Sequence, residues 1–239
     1  MDMAYQKSDQ DALKKQAAQK AVTCIRSGMT LGLGTGSTTR FALQEIASYL
    51  ASGRLKEIVG VASSVATEEL ARELSIPLCT LNDAPDIDLT IDGADEVDPW
   101  LNLIKGGGGA LLREKVIAQA SRYFIVIVDK SKLSAGLCST FPLPVEVLPF
   151  AWKSELNYLQ GLGAKVKLRT KPDGLPFVTD QENYILDADF KELSQPQKIA
   201  DLLNARAGIM EHGLFLGMAD EVVVASAEGI TQLKANQED

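Results

Sequence analysis

The sequence predicts an α/β fold in two parts, and three observations predict it. Through the first 132 residues, short and nearly unbroken apolar runs alternate with amphipathic stretches, the pattern of a parallel sheet covered on both faces. Glycine-rich, hydroxyl-rich or acidic sequence follows these runs directly, and such sheets hold ligands at the carboxyl ends of their strands. After Lys132 the texture changes: Pro142, Pro144 and Pro149 cluster, and shorter alternating elements follow.

The elements read in order as follows. Residues 9–27 form a helix, with Leu13, Ala17, Ala21 and Cys24 at helical spacing and Gly28 closing it. Residues 29–33 are the first strand. Ala42, Ile46, Tyr49 and Leu50 mark a second helix, 58–62 a second strand, and Ala66, Leu70 and Leu74 a third helix. Strands follow at 78–81, 89–91 and 124–128, with a helix over 110–120 before the last. Beyond Lys132 come a strand (144–148), a helix (151–160), a strand (164–169), a turn (171–176), a strand pair around 177–187, a helix (195–205) and a strand near 213–216. That βαββαβ order is the ferredoxin-like arrangement. Residues 221–225 are a last apolar strand able to rejoin the first sheet. The expectation is a Rossmann-like parallel-sheet domain from residues 1–132 plus 217–239, with a smaller ferredoxin-like α+β domain over 133–216.

Composition narrows the chemistry. Among 239 residues, Lys and Arg number 24 and Asp and Glu 32, a net charge of −8, with a sequence pI near 4.8. This balance argues against nucleic acid or anionic membrane as partner. No apolar run reaches the roughly 18 residues of a membrane span. Residues 1–11 lack the basic-then-apolar layout of a signal peptide, so a cytoplasmic protein is expected. Cys24, Cys79 and Cys138 match no metal spacing and read as small core residues in a reducing setting. His212 is the single histidine. A His-rich metal site is thereby excluded, and acid–base work falls to carboxylates and lysines.

Four motifs carry the chemistry. In Gly34-Thr35-Gly36-Ser37-Thr38, backbone N–H groups and hydroxyls can converge on an anion at a helix N-terminus, although a plain strand-to-helix turn reads the same way. The dinucleotide fingerprint requires glycine at 37 and finds Ser37, and the P-loop lysine is missing. Asp92-Gly93-Ala94-Asp95-Glu96-Val97-Asp98 places four carboxylates in a short stretch at a strand end. They suit a cation, substrate hydroxyls or a solvated acidic turn. In Lys105-Gly106-Gly107-Gly108-Gly109, glycines costing about 0.5–1 kcal/mol each in a regular element precede a helix. They form a second anion-binding terminus with Lys105 as its cation. Glu114 in that helix reads as a general base or as a carboxylate placed by the helix dipole. Arg113 and Lys115 read as surface or ion-pair residues. Asp129-Lys130-Ser131-Lys132 follows the strand at 124–128. Together the four describe a site for a phosphorylated polyol.

GTGST at 34–38, DGADE at 92–96, KGGGGALLREK at 105–115 and DKSK at 129–132 resemble type A ribose-5-phosphate isomerase in order and spacing. The likeness extends through FPLPVEVLP at 141–149 and GLF at 213–215, covering essentially the whole chain. The resemblance implies reversible isomerisation of ribose 5-phosphate and ribulose 5-phosphate in the pentose phosphate pathway, through an enediolate and with no metal or organic cofactor. It implies Glu114 as the base between C2 and C1, and Asp92 in ring opening and proton traffic on the oxygens. Lys105, with the N–H groups of Gly106, Gly107 and Gly108, would stabilise the enediolate. Asp95 would bind hydroxyls or orient Lys105. Thr35, Gly36, Ser37, Thr38 and Lys132 would bind substrate, chiefly its phosphate, with Gly93 and Ala94 beside Asp92 and with help from Lys14. The resemblance also implies a homodimer or homotetramer with contacts from the smaller domain, and a structural or interface role for His212. One departure is Glu182, in the turn 179–183, where glycine is expected. The rival readings are a sugar-phosphate deaminase, lactonase or CoA transferase of similar fold, or a non-catalytic sugar-phosphate sensor. The first two lean on a histidine, and the sensor needs a basic helix-turn-helix that the sequence lacks.

Overall fold

A computed structural model describes residues 2–235, with side chains from residue 10 onward. The reading of residues 1–11 as free of a leader rests mostly on side chains outside the described residues. The chain runs α1 (Asp2–Val22), β1 (Thr30–Leu33), α2 (Thr39–Ala51), β2 (Val59–Ala62), α3 (Val65–Glu73) and β3 (Leu89–Asp92). It continues with β4 (Glu96–Val97), β5 (Leu103–Ile104), α4 (Leu111–Gln119), β6 (Phe124–Asp129), β7 (Leu143–Val147) and α5 (Trp152–Gly161). It closes with β8 (Lys165–Leu168), β9 (Tyr184–Asp189), α6 (Pro196–Asn204), β10 (Ile209–His212), β11 (Leu214–Phe215), β12 (Glu221–Ser226) and β13 (Gly229–Lys234).

Two compact units emerge. The first takes the chain up to Ala94, Arg113–Lys132 and the chain from Met218 on; the second takes Asp95–Leu112 and Leu133–Gly217. The sequence groups residues 1–132 as one block, whereas 95–112 belongs to the second unit. The reason is pairing: β4 and β5, neither predicted, form an antiparallel sheet with β11 in the order β11-β5-β4.

The first unit holds a sheet in the order β13-β12-β6-β3-β1-β2. All its pairings are parallel except β12 with β13. Successive side chains on a strand face opposite ways. Leu31, Leu33, Leu89, Ile91, Ile125 and Ile127 therefore join one core with Ala17, Ala21 and Val22 of α1 and Leu43 and Ile46 of α2. Val61, Ile87 and Ile117 form a smaller cluster. Expected at 78–81, a strand survives only as a single parallel bridge from Gly60 to Leu78, because the chain turns at Thr80, whose hydroxyl donates to the Asp83 carboxylate at 2.6 Å and whose carbonyl accepts from the Asp83 N–H at 3.1 Å. α1 starts before residue 9 and stops at Val22, not 27. There the Thr23 hydroxyl bonds the Lys20 carbonyl at 2.6 Å, a local competitor of the helical ladder. The early stop leaves Cys24 exposed, so it is not the core residue that the helical spacing suggested.

In the second unit, a βαββαβ order builds an antiparallel sheet, β10-β7-β9-β8, but its last strand is β10 at 209–212, and the strand expected near 213–216 is β11 of the three-stranded sheet. Leu143, Val145 and Val147 of β7, Leu159 of α5, Leu186 and Ala188 of β9 and Leu203 of α6 close its core. The strand pair expected around 177–187 reduces to β9, with its other arm reduced to the bridge Val178–Tyr184. His212 is buried on β10, and its Nδ1 accepts from the Leu214 N–H at 3.3 Å.

Candidate active site

In the first unit, parallel pairing of β1 with β2 and β3 brings their carboxyl ends side by side. The loops after them meet there. Asp92, buried at the end of β3, accepts at Oδ1 from the N–H groups of Thr35 (3.1 Å) and Gly93 (2.7 Å). A Cβ on residue 34 would lie 2.3 Å from that same Oδ1, so only glycine lets the loop run against the carboxylate. One amide of the glycine loop is thus committed to Asp92, which fixes the loop and the acid against each other.

Hydroxyls extend this cluster. Thr35 Oγ1 donates to Ser64 Oγ at 2.8 Å, Ser64 Oγ to Thr67 Oγ1 at 3.0 Å, and Thr67 Oγ1 to the Gly34 carbonyl at 3.1 Å. Each hydroxyl carries one proton, so with this relay in place Ser63 Oγ, 2.8 Å from Thr35 Oγ1, is the donor in that contact. The local cause is the start of α3: Ser64 caps it by accepting from the Thr67 N–H at 3.0 Å. Lys14 Nζ lies 3.1 Å from Ser37 Oγ, placing an ammonium on the glycine loop. Thr38, at the start of α2, spends no side-chain hydrogen bond on capping. Lys132 is half-buried in the 3-10 turn Lys130–Lys132 that follows β6.

Glu114 is 4% exposed and falls in the first turn of α4. A carboxylate there is favoured by the helix dipole. Lys115 beside it is buried, not at the surface, and Arg113 is half-buried.

The second unit carries the other motif residues. Asp95 Oδ2 accepts from the Gly107 N–H at 2.7 Å. A Cβ on residue 107 would meet Asp95 Oδ1 at 2.5 Å, so this contact too requires glycine. Lys105 is 2% exposed, and its Nζ lies 5.5 Å from the centre of the Phe215 ring, within cation–π range. Its N–H donates to the Gly213 carbonyl at 2.9 Å. Gly106 is buried while Gly107 and Gly108 are exposed. Arg169 Nη1 donates to the carbonyls of Gly106 (2.8 Å) and Gly107 (3.0 Å).

The two remaining acids of the cluster are spent internally. Glu96 is fully buried and accepts from the N–H groups of Cys138, Ser139 and Thr140 and from the Ser139 and Thr140 hydroxyls, all within 3.1 Å. Asp98 accepts from the N–H groups of Trp100 and Asn102 and from the Asn102 amide. Mutual repulsion is therefore relieved for these two by donors of the chain itself, not by a cation. Among the described residues no group of three or more His, Cys, Asp or Glu side chains is arranged to hold a metal ion. Burial first, and then the Glu96 carboxylate, push the Cys138 thiol up to about 12.

Sequence reasoning missed Thr67, Arg169 and Asp187. Thr67 had a signal, since a hydroxyl three residues after a capping serine closes on it. Arg169 had none, because the carbonyls it holds lie more than sixty residues away.

The chain matches known proteins along most of its length. The family described as ribose 5-phosphate isomerase A (phosphoriboisomerase A) matches residues 59–229. Ribose-5-phosphate isomerase A of Desulfatibacillum aliphaticivorans is 58% identical over 95% of this chain and 99% of its own. Probable ribose-5-phosphate isomerase 3, chloroplastic, of Arabidopsis thaliana is 52% identical over 92% of this chain and 82% of its own. A solved D-ribose-5-phosphate isomerase in complex with phospho-erythronic acid superposes with a TM-score of 0.92 at 42% identity, covering 93% of this chain and 98% of that one. Ribose 5-phosphate isomerase from Plasmodium falciparum gives 0.92 at 40% identity, covering 95% and 99%. With its glycine loops, its buried Asp92 and Glu114 and these relatives, the chain belongs to the ribose 5-phosphate isomerase A family.

Proposed function

We propose that this chain interconverts ribose 5-phosphate and ribulose 5-phosphate through an enediolate, as a step of the pentose phosphate pathway and with no metal or organic cofactor. The observation that carries the reading is Glu114: a buried carboxylate in the first turn of a helix entered through four glycines, in a chain that matches named isomerases over nearly its full length.

Glu114 takes the proton from C2 of the open-chain aldose and returns it to C1. One carboxylate serves both carbons because they are adjacent in a planar enediolate. The electron pair left on C2 moves toward the C1 carbonyl oxygen, which becomes an oxyanion. Lys105 and the N–H groups of Gly106 and Gly108 meet that charge, while the Gly107 N–H holds Asp95 in place beside them; fixed donors of this kind are worth about 10²–10³ in rate each. Asp92 moves protons among the sugar oxygens and assists ring opening, and Asp95 binds hydroxyls. Thr35, Gly36, Ser37, Thr38, Lys132 and Lys14 hold the phosphate. Phospho-erythronic acid, found on the solved relative, carries a carboxylate in place of the enediolate oxygens and is expected to inhibit this chain.

The assembly is a homodimer or homotetramer, and the smaller unit provides its contacts. Support comes from Phe150, fully exposed, and Trp100, 74% exposed, both in the second unit; a subunit interface is the usual destination of such side chains. The working location is cytoplasmic, in keeping with the free thiols Cys24, Cys79 and Cys138.

Glu114→Gln keeps the shape and removes the base. The variant is expected to bind phospho-erythronic acid with near-normal affinity and to lose isomerase turnover by several orders of magnitude, read by a coupled ribulose 5-phosphate assay. Turnover within tenfold of wild type would remove Glu114 as the base.

A further inference from the structure

We propose that Arg169 is a positioning residue for the isomerisation: it locks two peptide planes of the glycine loop so that the Gly107 N–H is kept on Asp95 and the Gly108 N–H is preset for the enediolate. The inference rests on the function proposed above and deepens it.

Glycine loops have a defect as oxyanion holders. Without side chains, each peptide plane turns easily, and a flipped plane presents a carbonyl oxygen where a donor is needed. Something must hold the planes. Arg169 Nη1 takes both carbonyls at once, Gly106 at 2.8 Å and Gly107 at 3.0 Å; the Gly106 carbonyl also accepts from the Gly109 N–H at 3.0 Å, so Arg169 matters most for the Gly107 plane. In a trans peptide the N–H points opposite to its carbonyl. Holding the Gly106 carbonyl therefore directs the Gly107 N–H away from the guanidinium, and it is found there, on Asp95 Oδ2 at 2.7 Å. Holding the Gly107 carbonyl directs the Gly108 N–H to that same side. Gly107 and Gly108 are exposed.

The clamp is itself clamped. Arg169 Nε donates to Asp187 Oδ2 at 3.0 Å, and Nη2 pairs with Asp187 Oδ1, a two-pronged charge-assisted contact that fixes the plane of the guanidinium. The backbone of Arg169 is tied on both sides, its N–H to the Ile185 carbonyl at 2.8 Å and its carbonyl to the Phe177 N–H at 2.9 Å. An ion pair serving only to join β8 to β9 would need the carboxylate alone; here a further nitrogen of the same planar group goes to the loop. A positive charge on the carbonyl side also polarises both amides and strengthens their N–H groups as donors. Lysine cannot reproduce this, since one ammonium lacks the planar fork that binds a carboxylate and two carbonyls together.

The test uses Arg169→Lys, Arg169→Met and Asp187→Asn in the full-length protein, with kcat, KM, phospho-erythronic acid affinity and thermal unfolding measured on each. Small misplacements of catalytic groups can cost about 10²-fold. Expected for Arg169→Lys is a fall in kcat of about 10–100-fold, KM within about threefold, a parallel loss of phospho-erythronic acid affinity, and inorganic phosphate inhibition unchanged. Arg169→Met loses at least as much. Asp187→Asn keeps an oxygen acceptor and shows a smaller loss in kcat of the same kind; it decides the matter if the Arg169 variants do not fold. A kcat within twofold of wild type in the folded variants overturns the proposal, as does equal loss of phosphate and phospho-erythronic acid binding. An inactive wild-type protein would instead overturn the assigned reaction, and an active wild type with a dead Glu114→Gln and a fully active Arg169→Lys would overturn this inference alone.

Discussion

Glu114, Asp92 and Lys105 are all buried, although carboxylates and ammonium groups are among the side chains least often found inside proteins. Such placement costs stability unless partners offset it. Asp92 is compensated by two backbone donors, and Lys105 lies over an aromatic ring. The cysteines show what burial does to a titratable group. Cys138 sits beside the Glu96 carboxylate with its thiol pushed up to about 12, by burial first, and the nucleophile in alkylation is the thiolate. Cys24 is exposed. Iodoacetamide at pH 8 is therefore expected to label Cys24 on the native protein and to reach Cys138 only after unfolding, as read by peptide mass mapping. Residues whose role depends on local sequence were legible beforehand: the glycines of both loops, the acids at the end of β3, and Glu114 at a helix start. Glu96 was misread because its five donors come from 138–140, a stretch with no pattern that points back across forty residues.

At the scale of elements, the alternation of apolar runs and helical stretches carries the parallel sheet, and the βαββαβ order carries the antiparallel one. What escaped were β4, β5, β10 and β13. β4 and β5 are two residues long, too short for a period-2 pattern, and their existence is decided by tertiary pairing. The turn 179–183 shows packing overruling a local preference. Glu182 takes φ +62, where glycine would be at ease, yet the turn closes through Glu182 N–H to the Thr179 carbonyl at 3.0 Å and Thr179 N–H to the Asn183 carbonyl at 2.9 Å. Its anchor is Glu146 of β7, fully buried, whose Oε1 accepts from the Thr179 hydroxyl at 2.8 Å and the Asn183 amide at 3.0 Å. Burial pushes the Glu146 carboxyl up, against those two hydrogen bonds and with help from Glu211 and Asp180. A raised folded value means that the native state keeps the proton longer than the unfolded chain does. This contribution to stability is complete below the ordinary carboxylate range and is lost as pH rises through the folded value. Glu146→Gln keeps an acceptor for both donors and cannot ionise. It is expected to gain stability relative to wild type between pH 5 and pH 8, measured as the difference in urea midpoints; a constant difference would show that Glu146 does not titrate in that window.

For the whole molecule, a net charge of −8 opposes the approach of a phosphorylated sugar, so attraction has to be local. Under the proposed function, Lys14, 3.1 Å from Ser37 Oγ, and the N–H groups of the glycine loops supply it. The long-range field favours solubility over substrate capture. The exposed Phe150 and Trp100 of the second unit lead to an expectation about assembly. Sedimentation equilibrium should give a dimer or tetramer at micromolar concentration, and Phe150→Asp should shift the distribution toward monomer; a wild-type monomer across that range would contradict the assembly.

The central claim is that one carboxylate carries a proton between adjacent carbons of ribose 5-phosphate. It is tested most directly by running the isomerisation in deuterium oxide with wild type and Glu114→Gln side by side, and following the sugar carbons by NMR. Wild type is expected to form ribulose 5-phosphate with solvent deuterium appearing at C1, and the variant to form neither product nor label. Conversion without any solvent label would point to direct hydride transfer and contradict the enediolate, and equal labelling by the variant would contradict Glu114 as the carrier.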